Sequence, residues 1–95
     1  MSGRQGFEMS EIRRSPHQLA CDVGEEKVLL QTASGEYLGL NAVGAFLWEA
    51  LAEPRRGSEL VDLLVQHYDV DAAQALSDVK DFMDELAHAG LVDIG

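Results

Sequence analysis

The apolar period of this chain changes at Asn41, from alternation before it to three- and four-residue spacing after it, and that change limits what the chain can fold into. Upstream, Leu19, Cys21 and Val23 alternate with Ala20 and Asp22. Gly24-Glu25-Glu26 then interrupts, and Lys27 to Gln31 resumes with Val28-Leu29-Leu30. A hairpin is predicted. Ala33-Ser34-Gly35-Glu36 makes the next turn, with Gly35 able to take a positive φ, and Tyr37 to Leu40 supplies a third short strand. Leu38 and Leu40 share the core-facing side of that strand. Tyr37 and Gly39 share the other, where Gly39 leaves an open spot. Cys21, on the apolar side of its strand, reads as a small buried hydrophobe.

Downstream, Asn41 caps a helix running to about Glu53, with Val43, Phe46, Leu47, Ala50 and Leu51 as its core stripe. Trp48 falls beside that stripe and covers the edge of the core or a neighbouring groove. Pro54 ends the helix, and Arg55-Arg56-Gly57 leads to a second one capped by Ser58, with Leu60, Val61, Leu64, Val65 and Tyr68 inward. After Asp69-Val70, Asp71 caps a third helix with Gln74 at the capping-box position. Ala75, Leu76, Val79, Phe82, Met83 and Leu86 form its apolar face. Gly90 stops it, and Leu91, Val92 and Ile94 must dock on something. The predicted class is α+β and winged-helix-like: a three-stranded antiparallel sheet followed by three helices.

A winged-helix-like arrangement is most often a DNA binder, but the charges oppose that use. From Gly57 to Gly95 there are nine acidic residues and one base, Lys80. The whole chain has 17 acidic against seven Lys and Arg, a formal charge of −10. Such a field repels phosphate polymers and anionic membranes and attracts basic partners, so neither nucleic acid nor membrane is expected. Catalysis lacks the parts as well. His17, His67 and His88 are widely separated and make no metal-ligand or nucleophile pattern with Cys21 or a carboxylate, so no metal, no cofactor and no enzymatic activity are expected. His67 and His88 suit helix C-termini. One cysteine and no long apolar start read as a cytoplasmic protein. Residues 1–16 have few large apolar side chains and read as a disordered or weakly docked tail, in which Met9 is as good a natural start as Met1. Residues 17–95 are the single domain.

From about Val28 to Val92 the chain resembles the PqqD-like proteins. The resemblance rests on Tyr37, Leu40-Asn41, Gly44, Trp48, Tyr68-Asp69-Val70, Asp78-Val79 and Gly90-Leu91-Val92, in that order and spacing. It implies a recognition element for ribosomally synthesised, modified peptides. Members include the quinone-cofactor biosynthesis protein and the standalone proteins of lasso-peptide clusters. Such a protein binds the leader of a precursor peptide by strand addition and presents it to a modifying enzyme or leader peptidase. Carried onto this chain, the strand is Glu36, Tyr37, Leu38, Gly39 and Leu40, and the pocket draws on Val79, Phe82, Met83 and Leu76. Asp78, Asp81, Asp84 and Glu85 would surround the cleft with negative potential and favour a leader carrying Lys or Arg, while Lys80 could pair with a leader carboxylate.

Each of these residues also has a plainer use. Val79, Phe82, Met83 and Leu86 suit a core, with Phe82 and Leu86 leaning that way, and the acids suit a solvated helix face. A rival function is a winged-helix-like dimerisation or protein–protein interaction module with a regulatory role, in which the same strand edge serves a homodimer.

Overall fold

Asn41 caps the helix it precedes: its backbone is extended and its Oδ1 accepts from the Gly44 N–H at 2.8 Å. The computed structural model describes residues 3–95. Around that junction it arranges α1 (Gly3–Met9), β1 (Glu11–Arg14), β2 (Gln18–Val23), β3 (Glu26–Gln31), β4 (Glu36–Leu40), α2 (Ala42–Ala50), β5 (Arg55–Arg56), α3 (Gly57–His67), α4 (Ala72–His88) and β6 (Val92–Ile94). The α+β class and the meander β2-β3-β4 are as predicted, with antiparallel register running from Gln18 opposite Gln31 to Gln31 opposite Glu36.

A second antiparallel sheet, ordered β5-β1-β6, is not in the sequence reading. It corrects the picture of a tail over residues 1–16. Residues 1–2 lie outside the described residues, but Phe7 is buried and Ile12 fully so, and β1 pairs with β6 through Ile12 opposite Ile94 and Arg14 opposite Val92. The apolar tail after Gly90 therefore docks as a strand, with Leu91 and Val92 buried. At Gly57 a Cβ would collide with the Phe7 carbonyl, so the start of α3 meets α1 at a distance only glycine permits.

Several local expectations shift. Helix α2 ends at Ala50, before Pro54, because Leu51 and Ala52 bond back three residues and two arginines take up its last carbonyls. Arg14 donates to Trp48 O at 2.6 Å and Arg55 Nε to Ala50 O at 2.7 Å. The Arg14 guanidinium also lies 4.4 Å from the Trp48 ring centre, and Trp48 is fully buried rather than at the core's edge. Helix α3 begins one residue before Ser58, because β5 holds Arg56 extended and the Glu59 carboxylate accepts from the Arg56 N–H. Val65 is exposed, outside the inward stripe of Leu60, Val61 and Leu64. Cys21 is also exposed, because its face of the sheet carries no covering layer. Asp71 caps α4 through the Gln74 N–H, while the Gln74 side chain donates to Asp78 instead of closing a capping box.

One ion network ties the meander to the helices: Lys27 Nζ lies 3.3 Å from both Asp22 and Glu49. The hydrogen bond to Asp22, then that to Glu49, raises the Lys27 pKa. Its contribution is present below the ordinary lysine value and is lost as pH rises through the raised one.

Candidate functional site

Strand β4 pairs with β3 on one side only, so among the described residues its other edge is free. That edge borders a groove whose far wall is α4. The larger part, about 800 Å³, lies between Gly35, Glu36, Tyr37 and Leu38 on one side and Asp81, Asp84, Glu85 and His88 on the other, with Ala89 and Leu91 at its end. A smaller hollow of about 340 Å³ continues past Glu85 to Gly39, Leu40, Asn41 and Phe82. A strand edge beside an open trough offers unpaired backbone donors and acceptors together with room for side chains.

The charge is one-sided. Glu36, Asp81, Asp84 and Glu85 line the larger part, and the neighbouring base, Lys80, lies 3.3 Å from Asp84 on the exposed face of α4. His88 stands at the end of the helix, where its ring is exposed.

Of the residues predicted for the site, Glu36, Tyr37, Leu38, Gly39, Leu40 and Phe82 line the trough. Lys80 lies beside it, engaged with Asp84. Leu76 borders a different hollow, with Glu8, Ser58 and Val61. Val79 and Met83 are fully buried and belong to the core, one helical step behind the groove wall. The acids expected around the cleft do face it. His88, Ala89 and Leu91 are additional lining residues. Asp81, Asp84, Glu85 and His88 recur at helical spacing, which is the signal by which His88 was detectable.

The meander has two unlike faces. Leu29 and Leu40 are buried on the inner one. By the strand register Leu19, Cys21 and Val23, Val28 and Leu30, and Tyr37 and Gly39 share the outer one. Leu19 is 54% exposed, Val23 61% and Tyr37 73%, and nothing lies within 4 Å of a Cβ built on Gly39. Among the described residues no His, Cys, Asp and Glu are grouped to hold a metal ion, and no helix is long and apolar enough to cross a membrane.

Comparison with known proteins agrees with this architecture. No curated protein sequence matches the chain. Among solved structures, one described as "TbiB1 in Complex with the TbiA(beta) Leader Peptide" is similar at 34% identity and a TM-score of 0.78, covering 85% of this chain and 94% of that one. A second, "Lasso peptide synthetase B1 complexed with the leader peptide", shares the fold at 24% identity and a TM-score of 0.76, over 86% of this chain and 96% of that one. The family model for Coenzyme PQQ synthesis protein D matches residues 26–92, the span that holds β3, β4, the groove and the helices α2, α3 and α4, and on that match the chain belongs to the PqqD family.

Proposed function

We propose that this protein binds the leader segment of a ribosomally synthesised precursor peptide as an added strand on β4 and delivers it to a modifying enzyme or leader peptidase. The observation that carries the reading is the free edge of β4 beside the open trough against α4. A relative 34% identical is named as a complex with a leader peptide, which supports the same use here. Backbone hydrogen bonds along Glu36 to Leu40 give grip, and alternate leader side chains enter the trough, where Leu38 and Phe82 supply apolar contact. The acids of α4 favour a leader carrying Lys or Arg and speed its association at low salt.

Delivery falls to the outer face of the meander. A leader strand on β4 widens that sheet, and its remaining side chains lie beside Tyr37 and extend the outer-face row that runs from Leu19 through Leu30 to Tyr37. The processing enzyme docks there, in the cytoplasm, on a surface built jointly by protein and leader. The role is binding, with the chemistry left to the partner.

Fluorescence polarisation of a labelled leader from the neighbouring precursor, with core peptide and duplex DNA as controls, tests the proposal. Saturable binding of the leader alone is expected. A folded protein that ignores the leader, and whose sedimentation instead shows self-association, would favour the dimerisation module through the same edge.

A further inference from the structure

Among the described residues Gln31, the last of β3, is one of two buried polar residues, and its side chain bonds toward both walls of the groove. Its Oε1 accepts from the Ala33 N–H at 2.6 Å and the Ser34 N–H at 3.1 Å, in the turn that launches β4. Its Nε2 donates to the Gly90 carbonyl at 3.1 Å, in the cap that ends α4. The Gln31 carbonyl also accepts from Gly35 N–H at 2.7 Å, so this one residue holds the turn from both ends. Gly90 has a φ of +76°, the left-handed region that favours glycine, and a Cβ there would press on the Gln31 carboxamide, 3.0 Å from its Nε2. The backbones of β4 and α4 do not run in close contact, and the two elements meet through side chains of the shared core. The β1–β6 pairing and the Ser15 N–H bond to Leu91 O hold the chain after α4, and the carboxamide adds a direct link from there to the turn before β4.

We infer that Gln31 is the positioning residue of the peptide groove: its carboxamide ties the turn before β4 to the cap after α4 and so sets the separation of the two walls. The inference rests on the leader-binding reading for its consequence, but the separation exists without a leader. A primary amide suits the task because it both accepts and donates in one plane. A groove held at its bound width spends less binding free energy on ordering when a strand enters it.

Two variants divide the carboxamide's duties. Gln31→Met keeps the bulk and removes every side-chain hydrogen bond. Gln31→Glu keeps the acceptor for Ala33 and Ser34 and loses the donor to Gly90. Spin labels at Ser34→Cys and His88→Cys, in a Cys21→Ser background, read the wall separation by pulsed dipolar spectroscopy. In the unlabelled-site protein, hydrogen exchange reads the turn and polarisation reads the leader. Both variants should broaden and lengthen the Ser34–His88 distance distribution, while Ala33 and Ser34 amides lose protection in Gln31→Met alone. Leader affinity should fall about tenfold in both, as expected for one buried hydrogen bond left unmade. A Val61→Ala variant, remote from the groove, should lose thermal stability without either change. Distance distributions that match wild type in both variants overturn the inference, as does an affinity loss no larger than that of Val61→Ala. Should wild type bind no leader, the leader reading falls, and the distance measurement still decides whether Gln31 sets the walls.

Discussion

The sheet β5-β1-β6 is packed into the core, with Ile12 of its central strand fully buried, whereas β2-β3-β4 leaves its outer face exposed and sets the β4 edge beside an open trough. The first closes the core by joining segments from opposite ends of the chain, Arg14 opposite Val92. The second is assembled from neighbours in sequence and keeps its unpaired backbone and apolar surface available. Within one small domain, the sheet of long sequence separation closes the core and the local one carries the proposed binding edge.

That division can be broken by substitution, and the largest effect belongs to the core. Met83→Glu places a charge among fully buried side chains, and a loss of about 4 kcal/mol or more, enough to unfold the domain in a chemical-denaturation series, is expected. Ile12→Ala should cost about 2–5 kcal/mol by the same measurement, because the closing sheet loses its central apolar side chain. A cost near zero would show that β1 does not close the core. Gly39→Pro moves the test to the open sheet. It should leave the helical circular dichroism signal in place and weaken leader binding by at least about tenfold, since proline restricts the strand backbone and removes an amide. Binding as tight as wild type would place the leader on another surface. The smallest effect on stability is expected at Leu19→Ser on the outer face, within about 0.5 kcal/mol. The same variant should nevertheless reduce capture of the leader-bound protein by its processing enzyme in a pull-down.

The same contrast explains what the sequence made legible. Strands β2, β3 and β4 run five or six residues each, long enough for alternation to register, and Asn41 marks the switch to helix unmistakably. Strand β5 is two arginines and β6 three residues, too short for any period, and their pairing with β1 depends on contacts no local window contains. The burial of Trp48 is invisible to a local window for the same reason, since the guanidinium that covers it comes from Arg14. On α4 the helical period located one broad apolar and acidic surface but could not divide it. Val79 and Met83 turn to the core, while Asp81, Asp84 and Glu85 turn to the groove, and only the position of β4 separates the two.

The enclosure of Trp48 has a practical side. It is the chain's sole tryptophan, sealed from solvent and absent from the lining of the trough. Its emission should therefore shift sharply when the domain unfolds and stay nearly constant when a peptide settles on β4. Intrinsic fluorescence would then follow denaturation free of interference from ligand, and a titration that watched only that signal would miss the binding event altogether.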